Sequence, residues 1–398
     1  LLFGQVLAHV DSVHGTGDLV PKHGPGSTAD GLLGNEKFDQ QEWTWRLEHG
    51  GFHSVDYLLP SPRFWMNLER VRFNDTRDER PVKVISVPKT LKTPRIIAVE
   101  PTCMQYAQQA VKEALVDAIE ADKLTKHFVG FTDQDPNRVL ARRGSFTGSL
   151  ATLDLSEASD RVSNQLVEYL TQGFTHLRDA IQACRSLRAD VPRHGLHDLT
   201  KFASMGSALT FPIEAMVFLT VCFIGIEECN GRRLTESDVK RLIGQVRIFG
   251  DDIIVPVEYA QDVMDKLELY GFKVNRHKSF WNGKFRESCG KEYFAGYDVS
   301  IVKLREMPPT SHRDAKAVVS WVSFRNQLRA AGYGPSVDSI DVFLKKILRG
   351  YFPRVTETSP LLGRVELDGT VDVSGFSNRT FQPLSKGWKV TSKPPANA

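Results

Sequence analysis

The sequence predicts an α+β fold in two or three lobes, and three observations carry that prediction. Strand-like and helix-like segments alternate irregularly, with no internal repeat. Near the centre, QVRIF–GDD–IIVPV is two short apolar runs around a tight polar turn, a hairpin signature, and longer helical patterns surround it as insertions. The length, 398 residues, exceeds one ordinary domain of about 100–200 residues. With 41% hydrophobic and 25% charged residues the composition is globular, which excludes a disordered chain, a collagen-like fibre and a disulfide scaffold.

In chain order, LLFGQVLAHV is apolar but lacks the basic flank and small-residue cleavage site of a signal peptide. The chain begins with Leu1 rather than Met, which reads as a fragment or a processed product. GTGDLVPKHGPGSTADG reads as a long irregular loop. Trp43, Trp45, Phe52, Tyr57, Phe64 and Trp65 follow without a clear period and are expected to pack rather than to stack on nucleobases. VKVISV and RIIAVE read as strands around the basic turn PKTLKTP. Helical spacing begins near Pro101, with Met104, Ala107, Val111, Leu115 and Ile119 on one face. GSLATLDL is a strand, and Asp160 is placed to cap a following helix in which Val162, Leu166 and Leu170 recur. Residues 186–200 read as a polar loop with two His, and SMGS (204–207) as a small-residue loop before the apolar helix 209–229. The run Leu209–Ile226 is nearly long enough to span a bilayer, but Pro212 and Glu214 interrupt it, so it reads as a buried core helix. Residues 258–270 are helical, GFKVN is a short strand and FRESCGKEYFAGYDV a second hairpin. Helical patterns flank YGPS within 312–350, and SKGWKVTSKPPANA reads as a flexible tail.

The five cysteines are scattered and lack any C-x-x-C pair, which argues against a zinc site or disulfide framework and suits a reducing cytosol. The formal net charge of +3 says little, but its distribution is uneven. Residues 273–291 hold six Lys/Arg against Glu287 alone, and residues 83–95 hold Lys83, Lys89, Lys92 and Arg95 with no acid. Such runs suggest local contacts with a polyanion.

Asp251 and Asp252 are adjacent acids at the tip of an apolar hairpin. A turn that needed only polarity could use Asn-Gly, so the excess negative charge points to a multivalent cation. Asp154 ends another apolar strand, where a buried unpaired carboxylate is costly. Two strands of one sheet can bring these three carboxylates together, which suits two Mg²⁺ ions, each taking one or two protein carboxylates plus phosphates and water. Such a pair serves phosphoryl transfer. His194-Gly-Leu-His197 lacks the Glu of a zinc-protease helix, and no G-x-x-x-x-G-K-[ST] loop occurs.

DLSEASD, SMGSALTFPIE, FGDDI, NRHKSF and FRESCGKEYFAG occur in the order of the palm motifs of RNA-directed RNA polymerases, preceded by VPKTLKTPRIIAVEP. The wording resembles the replicase catalytic subunits of the leviviruses, small positive-strand RNA phages, over roughly residues 82–305. The resemblance implies a right-hand palm–fingers–thumb polymerase with an antiparallel palm sheet and mostly helical insertions. Its parts would be a shortened N-terminal fingers extension (1–81), fingers (82–147), palm (148–172), a fingers insertion (173–202), palm again (203–305), and thumb with tail (306–398). The implied reaction adds ribonucleoside triphosphates to an RNA 3′ end on an RNA template, releases pyrophosphate and replicates a viral RNA genome.

The resemblance also implies site residues. Asp154, Asp251 and Asp252 match the metal-binding carboxylates for two Mg²⁺, with Mn²⁺ able to substitute. Asp160 matches the acid that helps read the ribose hydroxyls, and Ser204, Met205, Gly206 and Ser207 the loop beside the incoming nucleotide. Thr210 and Glu214 continue that motif, and Glu214 also fits a buried structural acid. Lys89, Lys92 and Arg95 match the cations that neutralise the triphosphate. Lys278 matches the general acid for pyrophosphate, with Arg276 and His277 as competitors. Phe285, Arg286 and Glu287–Gly290 resemble a hairpin that grips the primer. The implied partners are template and nascent RNA, host translation elongation factors and a ribosomal protein, with no membrane, in the cytoplasm of an infected bacterial host. A reverse transcriptase fits less well, because LSEASD (155–160) is small and polar where such enzymes carry a bulky aromatic. An inactive RNA-binding remnant fits less well because all three carboxylates are present.

Overall fold

The computed structural model describes residues 2–59, 62–88, 94–202 and 205–391, so Lys89, Lys92 and Ser204 lie outside the described residues. The chain forms two compact units. The first takes in the chain up to Val87 and Arg95–Ser300, the second the chain from Ile301 on.

The first unit opens with α1 (Gly4–Gly15), which buries Val6, Leu7 and Val10. After β1 (Val82–Pro88) and β2 (Pro94–Val99) comes α2 (Thr102–Ala121), and its expected face, Met104 to Ile119, is buried. Next come α3 (Asp135–Thr147), β3 (Leu150–Leu153), α4 (Asn164–Thr171) and α5 (Thr175–Cys184). The expected polar loop at 186–200 is instead a hairpin of β4 (Arg188–Val191) and β5 (Gly195–Asp198). Every residue of β5 is exposed, so no apolar alternation marks it in the sequence. It is held through β4 in a sheet of order β2-β1-β4-β5, packed around Val82, Ala98 and Ala189.

The helix α6 (Thr210–Cys229) is apolar on every side because every side is covered. It is long and apolar enough to cross a bilayer, yet it lies buried in the core of this unit. Beyond it lie β6 (Arg247–Phe249), β7 (Asp252–Pro256) and α7 (Ala260–Leu269), the last packed along α6. The strands β3, β7 and β6 form an antiparallel sheet in that order. Its pleat sorts the side chains between two cores. Ala151, Leu153, Ile253 and Val255 face the main core, while Leu150 and Ile254 pack with Leu140 and Ala141 of α3. Cover on both faces explains why these strands read as continuous apolar runs.

GFKVN supplies one bridge, Leu155 to Val274, rather than the expected strand, because the chain turns at residues 276–278. The second expected hairpin is present as β8 (Phe285–Ser288) and β9 (Lys291–Phe294), extended by β10 (Tyr297–Asp298).

The second unit pairs α8 (Ala315–Ala330) with α9 (Gly334–Ile347), and the expected YGPS break supplies the N-cap and first turn of α9. Val318, Val322, Leu344, Leu348 and Phe352 form its core. The expected flexible tail is built in as far as Lys389. Trp388 packs on that core, its strand pairs with Leu361–Leu362, and its indole N–H donates to the Leu348 carbonyl at 2.8 Å. A large aromatic with one polar tip gains more from burial than from exposure.

Candidate active site

The sheet register brings the expected acids together. Leu153 pairs with Ile253, so Asp154 and Asp252, the next residues along β3 and β7, are neighbours. Phe249 pairs with Asp252 across a two-residue turn of Gly250 and Asp251. Gly250 has φ +59°, and a Cβ there would sit 2.4 Å from the Phe211 ring. Only glycine fits this turn.

Burial, reinforced by the adjacent Asp251 charge, pushes the Asp252 carboxyl up to about 6. Burial also raises Asp154, with Asp251 adding to the shift and Lys278 opposing it. Glu214 is 6% exposed on α6 and is pushed up to about 8 by burial and by the charges of Asp251 and Asp160. Burial and mutual repulsion thus both disfavour the charged forms of these acids. Asp252 is steadied by the Cys289 N–H at 3.1 Å, which gives the tip of the β8–β9 hairpin a role. Asp251 is exposed and has no hydrogen-bond partner among the described residues.

The carboxylates fit Mg²⁺ by chemistry, since they offer oxygen donors only and carry uncompensated charge. Among the described residues no group of three His, Cys, Asp or Glu side chains is placed to hold a metal ion by itself. Magnesium needs none, because it is held by one or two carboxylates and completes its octahedron with water and substrate phosphates.

Lys278 is exposed, in the turn after Val274, and its charge acts on Asp154. Arg276 is exposed and pairs with Glu268 at 3.1 Å. Asp160 does not cap the following helix. It lies inside the short helical turn Ala158–Arg161, while Ser163 occupies the N-cap position of α4. Its carboxylate instead accepts the Met205 N–H. Gly206 has φ +132°, and a Cβ there would lie 1.9 Å from the Ala98 carbonyl oxygen. The loop is thus pressed onto β2, where the Ala98 N–H donates to the Met205 carbonyl at 2.8 Å.

The basic runs are partly spent inside the protein. Arg286 is fully buried and donates to main-chain carbonyls including those of Leu150 and Phe285, so it braces β3 rather than reaching RNA. Lys291 pairs with Asp298. Lys83 and Arg95 are exposed.

Sequence reasoning missed Gln108. It is fully buried on α2, and its Oε1 accepts from Ser207 Oγ at 3.2 Å and the Ala208 N–H at 3.1 Å. The signal was a polar residue four positions after Met104, on the face that is otherwise apolar.

With this geometry, the comparisons are decisive. The family model for RNA replicase, beta-chain, matches residues 69–309. The chain belongs to the RNA replicase beta-chain family. The levivirus resemblance at residues 82–305 falls within that match. Over 249 residues the chain is 35% identical to the RNA-directed RNA polymerase subunit beta of Enterobacteria phage SP, covering 63% of this chain and 40% of that protein. Over 289 residues it is 34% identical to the corresponding subunit of Escherichia virus Qbeta, covering 70% and 46%. The chain thus spans less than half the length of these replicase beta-chains. A solved structure described as an RNA-dependent RNA polymerase with vp4 and dsRNA is 11% identical, with a TM-score of 0.50 over 87% of this chain and 31% of that one. That likeness is one of fold, and it agrees with the expected α+β polymerase class.

Proposed function

We propose that this chain is the catalytic core of a viral RNA-directed RNA polymerase, adding ribonucleoside triphosphates to an RNA 3′ end and releasing pyrophosphate. The observation that carries the reading is the β3–β7 register, which sets Asp154 beside Asp251-Asp252 in a chain of the replicase beta-chain family. Residues 148–172 and 203–305 then serve as palm, 82–147 and 173–202 as fingers, 1–81 as a fingers extension and 306–398 as thumb.

Asp154, Asp251 and Asp252 would hold two Mg²⁺, or Mn²⁺ in their place. Bound there, the pair supplies charge stabilisation to the attacking and leaving oxygens of an in-line displacement. Asp252 must lose its proton to serve as a ligand, and burial beside Asp251 delays that loss to about pH 6. Lys278 Nζ donates a proton to the departing pyrophosphate oxygen. Lys89, Lys92 and Arg95 orient the triphosphate. Asp160 spends one lone pair on Met205 and keeps others for a ribose hydroxyl, with Ser204 and Gly206 beside it. Host elongation factors and a ribosomal protein complete the assembly in the cytoplasm of the infected bacterium.

The test is Mg²⁺-dependent extension of a primed RNA template, with and without bacterial extract, using ribo- or deoxyribonucleotides. RNA-templated RNA product is expected. RNA binding without any addition would assign the chain as an inactive remnant, and preferential deoxyribonucleotide incorporation would assign it as a reverse transcriptase.

A further inference from the structure

The turn that carries Lys278 is fastened to Asp154 at three points. The Asn275 N–H donates to the Asp154 carbonyl at 2.9 Å. Buried Ser279 accepts the Asp154 N–H on its Oγ at 3.1 Å. Asn275 Nδ2 donates to Asp154 Oδ2 at 3.0 Å. The Lys278 N–H then closes the turn on the Asn275 carbonyl at 3.0 Å.

The first two bonds tie only the Asp154 main chain, one to the Asn275 N–H and one to the Ser279 hydroxyl. The third goes to the carboxylate itself. An asparagine that merely shaped a turn would satisfy its side chain on the main chain two residues on, whereas this amide spans 121 positions in sequence. Rotation about the last Asp side-chain bond is broad and roughly two-fold. A fixed donor on Oδ2 selects one orientation and leaves Oδ1 for a cation. Because its acceptor is a carboxylate, the amide must present its NH₂.

We propose that Asn275 is a positioning residue of the site: its side-chain amide fixes the Asp154 carboxylate for cation binding, and the turn it closes sets Lys278 beside that carboxylate. The inference rests on reading Asp154 as a metal ligand.

The experiment titrates the full 398-residue chain with Mn²⁺ alone, reading free Mn²⁺ by electron paramagnetic resonance, and records Tm in parallel. Asn275→Ala should weaken Mn²⁺ binding by about 10- to 100-fold, the usual loss when a partner that orients a ligand is removed, with little change in Tm. Asn275→Ser, which suits a turn but does not reach the carboxylate, should behave alike and covers the case in which the alanine variant fails to fold. Ser279→Ala, which removes only a main-chain tie, should lower Tm more than metal affinity. The control is Asp154→Asn. If that variant loses Mn²⁺ while both Asn275 variants bind as the wild type does, Asn275 is only a turn residue and the proposal is overturned. If Asp154→Asn itself binds normally, the parent reading of Asp154 fails and takes this one with it. In extension assays the Asn275 variants should lose kcat at low Mg²⁺ and regain it at high Mg²⁺, with an unchanged nucleotide KM at saturating metal.

Discussion

Each unit gathers ionisable side chains into a cluster, and the two do so in opposite ways. In the second, the guanidinium of Arg325 is 1% exposed and fully engaged. It forms a fork to Asp341 at 2.7 and 2.8 Å and reaches Glu366 at 2.7 Å, while Arg329 takes the other oxygen of Glu366. Positive and negative charge are matched, and each atom has a partner. In the first, Asp154, Asp251, Asp252 and Glu214 repel one another, with Lys278 opposing the shift only at Asp154. A buried cluster that neutralises itself is explained by folding alone. One that does not must be offset by something that binds, and that contrast separates a brace from a site.

The comparison breaks first at the carboxylates. Asp154→Asn or Asp251→Asn should lower kcat by about 10²- to 10³-fold, on the scale of losing one electrostatic contact made in the transition state. RNA affinity should stay near wild type, and Tm in metal-free buffer should hold or rise, because repulsion is relieved. Wild-type turnover in either variant would end the two-metal reading. Arg325→Ala should do the reverse, costing about 3–5 kcal/mol of stability by stranding two acids, as read by urea unfolding. Replacing Arg325, Asp341 and Glu366 together by apolar residues should restore most of that loss. If the single variant unfolds like the wild type, the network is not a brace.

How much of this was visible in the sequence depended on the kind of signal. The strands β3, β6 and β7 were legible because LATLDL and RIFGDDIIVPV set acids at the ends of apolar runs, where acids have few structural uses. The β4–β5 hairpin was not, since Leu196 and His197 are as exposed as any loop residue. Arg286 and Arg276 looked like free cations because nothing in a linear sequence distinguishes an arginine caged by carbonyls from one awaiting RNA. Asn275 and Gln108 act on partners 121 and about 100 residues away, beyond any local pattern.

Acid should sharpen the contrast. The Asp252 carboxyl rises in the fold from 3.8 to about 6. A raised acid contributes stability that is full below the unfolded value and is lost as pH climbs through the folded one. Metal-free protein should therefore lose up to about 3 kcal/mol from this group between pH 4 and 7. Asp252→Asn should raise Tm at pH 7 more than at pH 4.5, and Mn²⁺ affinity in the wild type should climb through pH 6. Glu366 behaves oppositely. Burial works against it, but Arg325 and Arg329 hold it below the usual glutamate range. Its contribution is present above the unfolded value and is lost as pH falls through the folded one. A gain in Tm on Asp252→Asn that is no larger at pH 7 than at pH 4.5 would deny the difference between the clusters.

The smallest effect concerns Asp160, which belongs to neither pattern. Its carboxylate is exposed, yet it holds the Met205 N–H of a loop whose Gly206 is pressed onto Ala98. A carboxylate has acceptor capacity to spare, so it can take a ribose 2′-hydroxyl as well. A deoxyribose leaves that acceptor unpaired, at a cost of about 1–3 kcal/mol, or roughly ten- to a hundredfold in discrimination. Asp160→Ala should therefore lower kcat/KM for ribonucleotides more than for deoxyribonucleotides, narrowing their ratio. Asp160→Asn supplies the control, because its carbonyl oxygen can still accept from Met205 and from a hydroxyl, and it should retain most of the ratio. Since Asp160 is not a helix cap, a fall in Tm with an unchanged ratio would make it only the anchor of the 205–207 loop, and sugar choice would then have to be read elsewhere.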